Sequence, residues 1–224
     1  MVAGLTPVGS RWLVASAKMA GSTFAPEPPK VYESFIEVLG ERPSFVTIVV
    51  NSPVGYLANP EDGARNCDRA ARALLGRRGA AVRNAPSRAV IEGRVPIEKS
   101  HLDAITAMML PRVGEVAAEM SPYRQRVIYE GNPELSFYNL HKEKPLLHSK
   151  RIESGRDERR QVLIEKVRGC ERYLDIPMKG VSQKHLLDAM ALMWSARRVF
   201  GHAAKRLPAD PEWDSEGLRM EIVY

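Results

Sequence analysis

The chain has 224 residues, 44% of them hydrophobic, which permits one large domain or two small ones with ample core. Lys and Arg number 33 against 27 Asp and Glu, a formal charge of +6 that favours polyanionic partners and equally suits an ordinary basic protein. No apolar run reaches membrane length, Arg11 and Lys18 interrupt the apolar start so that it does not read as a signal peptide, and there is no internal repeat or low-complexity tail. Cys67 and Cys170 lack metal-ligand spacing and sit in helix-like segments; buried free thiols in a reducing cytosol, hence a cytoplasmic protein, are the expectation.

In chain order, residues 2–5 read as a first strand, Thr6-Pro7-Val8-Gly9-Ser10 as a turn and residues 12–15 as the second strand of a hairpin. Residues 21–24 read as a short third strand. Val31, Phe35, Val38 and Leu39 have helical spacing and predict a helix over 30–40, ended by Gly40. Residues 45–51 (Phe-Val-Thr-Ile-Val-Val-Asn) are apolar without alternation and predict a strand buried on both faces. A basic helix follows over 62–75, with Arg65, Arg69 and Arg72 at spacings of four and three. A polar segment runs to about Pro96, then a helix over 97–119 interrupted by Pro111.

Residues 126–130 form the pivot. Val127, Ile128 and Tyr129 predict a strand that carries Glu130 to its tip, and Gly131-Asn132 ends it. Asn132 caps a helix over 133–140, with Pro133 in the first turn where its missing N–H is not needed. The segment 141–154 reads as basic loop, 156–173 and 182–200 as helices, and 218–224 as a closing strand. Glu130 then faces the crevice in which open α/β sheets bind ligands.

This order resembles that of the ribonuclease H-like fold: a mixed α/β sheet, its first three strands antiparallel, extended in parallel by the next two, with helices on both faces. We expect one such domain over residues 1–224. Three phrases carry a closer resemblance. They are Arg65-Asn66-Cys67-Asp68-Arg69-Ala70-Ala71-Arg72 through Gly76-Arg77-Arg78 and Ala85-Pro86-Ser87-Arg88; Glu130 with Pro133-Glu134-Leu135-Ser136-Phe137; and Asp188-Ala189 with Trp194-Ser195-Ala196-Arg197-Arg198, closing in Gly217-Leu218-Arg219-Met220-Glu221-Ile222. Together they look like the predicted RNase H-like nucleases of domain of unknown function family 429. That resemblance implies acidic side chains on the first, fourth and fifth strands and on the last helix, holding Mg²⁺ or Mn²⁺ for phosphodiester hydrolysis.

The sequence departs from the implied pattern. The strand-one position is Thr6 and the strand-four position is Asn51; Lys184-His185 stand where acids are expected on the last helix. Glu130 and Asp188 remain as candidate metal ligands, with Glu134 retained in an undefined role. A carboxylate 4 Å from a dication contributes about 8 kcal/mol gross at an effective dielectric of 20, so two missing charges weigh heavily. The degenerate site Glu130, Asp188, Asn51 and Thr6 therefore predicts a lost two-metal site and no required cofactor, with Lys184 opposing a metal or pairing with Glu130.

His141, His148, His185 and His202 lack tight metal spacing, and Ser52 and Ser136 lie in no nucleophile elbow. Arg65, Arg69, Arg72, Arg77, Arg78, Arg83 and Arg88 form one basic cluster, and Lys142, Lys144, Lys150 and Arg151 a second; either a solvated face or a phosphate-binding one would look so. Three functions follow: a non-hydrolytic member binding nucleic acid or a phosphorylated partner through Arg65, Arg69, Arg72, Arg77, Arg78, Arg88 and Lys150; an active nuclease with a reduced metal site; or a structural subunit of a protein complex.

Overall fold

A computed structural model of the chain describes residues 1–21 and 23–224. Strands β1 (Val2–Val8) and β2 (Arg11–Ala20) form an antiparallel hairpin across Gly9-Ser10, where Gly9 takes a positive φ. Strand β3 (Thr23–Pro26) and the short β4 (Lys30–Tyr32) both pair with β2, while β5 (Thr47–Val50) runs parallel to β1 and β6 (Ile128–Glu130) parallel to β5. The order β3-β2-β1-β5-β6 is the antiparallel meander with parallel extension expected of a ribonuclease H-like sheet.

Helix α7 (Gln183–Phe200) lies on one face, with α5 (Pro133–Leu140) and α6 (Glu153–Lys166) beside it; α1 (Phe35–Gly40) and α4 (Ala104–Glu119) cover the other. Alternation along the strands divides the side chains: Val2, Val8 and Val49 join the α7 core, whereas Ala3, Leu5, Ile48, Val50 and Ile128 join the opposite one. Gly4 faces α7, and there the two backbones nearly touch. Helix α2 (Asn66–Leu75) packs beside α5 on a separate hairpin of β7 (Arg206–Trp213) and β8 (Arg219–Val223), and a short α3 (Arg88–Ile91) precedes α4.

Several boundaries differ from expectation for local reasons. Thr6-Pro7-Val8 is strand, not turn: β5 pairs β1 only as far as Leu5, so the missing N–H of Pro7 interrupts no central ladder. The third strand begins at Thr23; the predicted segment included Ser22, which lies outside the described residues. The expected helix over 30–40 is strand β4 followed by six helical residues, because Ser34 caps at that point, accepting from the Glu37 N–H. The helix expected over 97–119 starts at Ala104, since the Asp103 carboxylate accepts from the Ile105 and Thr106 N–H groups; it passes through Pro111 unbroken. The helix expected over 62–75 begins at Asn66, which leaves Arg65 outside it. The helix expected over 156–173 runs from Glu153 to Lys166 instead. Strand β7 gave no sequence signal, being rich in proline and charge.

Candidate functional site

The strand tips of β1, β5 and β6 open into a crevice of about 510 Å³. Its walls include Thr6, Asn51, Glu130 and Asp188, the four positions singled out from sequence, together with Glu134. Convergence on one cavity does not make them one ligand set. Glu130 is paired in register with Val50, and so projects on the α4 face of the sheet, while Thr6 and Asn51 follow Leu5 and Val50 and alternate to the α7 face. There Asn51 Nδ2 donates to Thr6 Oγ1 at 3.2 Å.

Each acid at the crevice is already paired with a cation of the chain, Asp68 and Glu130 sharing one. Glu130 is held by Arg65 in a fork of two bonds, 2.6 Å from Nη2 to Oε1 and 2.8 Å from Nη1 to Oε2, and Oε2 also accepts from the Val54 N–H at 2.8 Å. Arg65 gives its remaining donors to Asp68, at 3.0 Å from Nε and 2.8 Å from Nη2, and to the Gly55 carbonyl at 3.0 Å. All five guanidinium donors are thereby used, in a residue only 2% exposed. Glu134, on the first turn of α5, takes both oxygens to Arg159 Nη2 at 2.7 and 2.8 Å, and Arg78 approaches it at 3.2 Å. Asp188, on the second turn of α7, accepts from Lys150 Nζ at 2.5 Å. Its other oxygen is buried with no hydrogen-bond partner among the described residues, as is Ser52 Oγ in the same crevice.

These pairings correct the sequence expectations in three places. Glu130 is neutralised by Arg65 rather than by Lys184. Arg65 and Arg88 are withdrawn from the surface: Arg88 is committed to Asp214 at 2.9 Å and lies over the Tyr56 ring, so neither offers a free guanidinium to an external phosphate. Arg72 is spent on the Val82 carbonyl at 3.0 Å and on Asn84, which fixes the turn after α2; Arg69 bonds Ala64 and Asn66 nearby. Arg69 and Arg77 are exposed but line no part of the crevice, so the arginines of α2 form no single phosphate-binding face there. Arg78, Lys150, Arg151 and Lys184 do line it. Arg151 and Lys184 pair with no carboxylate among the described residues, and Arg78 shares Glu134 with Arg159, so positive charge is in surplus. Asp68 and Arg159 escaped sequence reasoning; a buried arginine carries no local pattern that distinguishes it from a solvated one.

Burial raises the pKa of Asp188, against the pull of Lys150. Burial together with Lys184 and Lys150 pushes His185 down to about 4, so its imidazole is neutral at physiological pH. Burial also pushes Glu130 up to about 7, against the charge and hydrogen bonds of Arg65; one guanidinium between two carboxylates leaves the cluster negative when both are ionised. A folded-state pKa above the unfolded value stabilises below the unfolded pKa, and that stability fades as pH rises through the folded one. Stability therefore falls as pH rises from the usual carboxylate range through this raised value. Chemical denaturation at pH 5 and pH 7.5 is expected to show wild type losing more stability with rising pH than Glu130→Gln, which cannot ionise; parallel pH dependences would refute it.

The residues of the crevice do not fit the metal that the resemblance implies. Among the described residues, no three His, Cys, Asp or Glu side chains converge as a metal shell. The carboxylates nearest the strand tips are bound to guanidinium or ammonium, and Thr6, Asn51 and Ser52 supply only neutral oxygens. A dication would need to displace cations that are fixed in the fold.

The sheet topology is that of a ribonuclease H-like fold. A family model described as Protein of unknown function (DUF429) matches residues 7–213, and the chain belongs to that family. Among solved structures it is similar to one titled "Thermus thermophilus RuvC structure", at 15% sequence identity, with 91% of this chain and 98% of that chain covered and a TM-score of 0.42. A comparison with curated proteins finds no match. No helix among the described residues is long and apolar enough to cross a membrane.

Proposed function

We propose that the protein is a non-hydrolytic, or at most feebly active, ribonuclease H-like protein that binds nucleic acid by its phosphates at the strand-tip crevice. One observation carries this reading: Glu130, Glu134 and Asp188 are each paired with a cation from the chain itself. Hydrolysis through two metal ions needs carboxylates free to hold them. The surplus charge of Arg78, Arg151 and Lys184 on the same walls supports an anionic ligand instead. The buried thiols Cys67 and Cys170, both pushed upward in pKa by burial, fit a protein working in the cytoplasm.

The test has two arms. Titration calorimetry with Mg²⁺ and Mn²⁺ is expected to show no micromolar binding, and labelled RNA and DNA are expected to survive incubation with either ion. Filter binding is expected to retain nucleic acid at low salt, with affinity falling steeply as salt rises. Micromolar metal binding abolished by Glu130→Gln would establish a metal-dependent nuclease. Absence of retention, with a stoichiometric protein partner on purification, would establish a structural subunit.

A further inference from the structure

We propose that the crevice takes a single nucleotide, either a free nucleoside 5′-phosphate or the phosphorylated end of a single strand, and excludes duplex; this rests on the phosphate-binding reading above. Size comes first. A cavity of about 510 Å³ falls within the range that encloses a small ligand, roughly 300–1,000 Å³. Helix α4 lines it through Ile105, Met109 and Arg112, alongside the strand tips and the first turns of α7, so a cavity of this size admits a nucleotide but not the full width of a double helix.

Charge comes second. A phosphomonoester carries about −1.5 to −2 at neutral pH. Lys184 and Arg151 have no carboxylate partner among the described residues, and Arg78 and Arg159 together face the one carboxylate of Glu134. The surplus matches a terminal phosphate better than the single charge of an internal phosphodiester.

The rest of the lining matches the rest of a nucleotide. Ser52 and Asp188 line this cavity at 6% and 3% exposure, and their Oγ and Oδ1 atoms are buried with no hydrogen-bond partner among the described residues. A buried polar atom left unsatisfied costs about 1–3 kcal/mol, which ligand hydroxyl or amino groups would recover. Ile105, Met109 and Pro86 add apolar surface suited to the face of a base or sugar.

The experiment is titration calorimetry of the whole protein with the four ribonucleoside 5′-monophosphates, inorganic phosphate, adenosine, a 5′-phosphorylated single-stranded oligonucleotide and a blunt duplex. At least one monophosphate is expected to bind one-to-one, about tenfold or more tighter than phosphate or adenosine alone. The double variant Arg151→Ala, Lys184→Ala is expected to weaken it by about tenfold with the thermal midpoint unchanged, since charge-assisted contacts are lost and no internal pair is. Competition by the oligonucleotide would assign the strand end, and its failure to compete the free nucleotide. Equal affinity for phosphate and every nucleotide would overturn the proposal. So would duplex binding that no nucleotide displaces, although phosphate binding by the protein would then stand. Binding of neither nucleotide nor nucleic acid would overturn both readings.

Discussion

Arg65→Met is expected to lower stability by about 3–5 kcal/mol at pH 7.5, the cost of leaving a buried ion pair with one partner missing. In a chain of this size that is a fall in thermal midpoint of very roughly 6–20 °C. The guanidinium bridges two carboxylates that belong to different elements, Asp68 on α2 and Glu130 at the tip of β6, and it also caps the Gly55 carbonyl. Methionine fills the space and supplies none of five donors. Arg65→Lys is expected to recover little, because an ammonium cannot present two parallel forks. Acidification should shrink the deficit as Glu130 takes up a proton. A deficit that stays constant from pH 5 to 7.5, or a midpoint within 2 °C of wild type, would show that the network contributes little.

Gly4→Ala should be more damaging still. A Cβ on Gly4 would lie 2.0 Å from the Met193 nitrogen, 2.4 Å from the Ala189 carbonyl oxygen and 2.5 Å from the Leu192 carbonyl carbon, all backbone atoms of α7. No rotamer change relieves that contact; the helix must move off the sheet. Overpacking in a core costs about 1–3 kcal/mol even where side chains yield, so here either insolubility or a loss above that range is expected. Gly40→Ala is the matched control, since nothing lies within 4 Å of its Cβ, and should leave the thermal midpoint nearly unchanged. Equal melting of the two variants would mean that α7 is not seated on β1 as closely as described. Because α7 carries Asp188, Lys184 and His185, any folded Gly4→Ala protein should also lose ligand binding at the crevice.

Much of the architecture was legible in the residues. Continuous apolar character in 45–51 identified the central strand β5, and Asn132-Pro133 marked the start of α5, where the Asn132 side chain accepts from the Glu134 N–H at 2.9 Å. The apolar spacing of 186–193 identified α7. Strand β4 and strand β7 were not legible: β4 is three residues long and is held by β2 earlier in the chain, while β7, though it forms a hairpin with the adjacent β8, carries prolines and charges in place of apolar alternation. The placement of Thr6, Asn51, Glu130 and Asp188 at one crevice was legible too, through strand ends and the resemblance that aligned them. Period-two alternation already separated Glu130 from Asn51, once the register between β5 and β6 was known.

The sequence by itself determined which kinds of side chain stand at the strand tips, since strand ends and helix caps are set within a few residues. Only the tertiary structure decided what those acids bind. Arg65 and Glu130 are 65 residues apart, Lys150 and Asp188 are 38, and Glu134 and Arg159 are 25. A charge interaction depends on distance in space and on burial, and chain folding sets both, so no local pattern could distinguish an arginine that neutralises the site from one that greets a ligand.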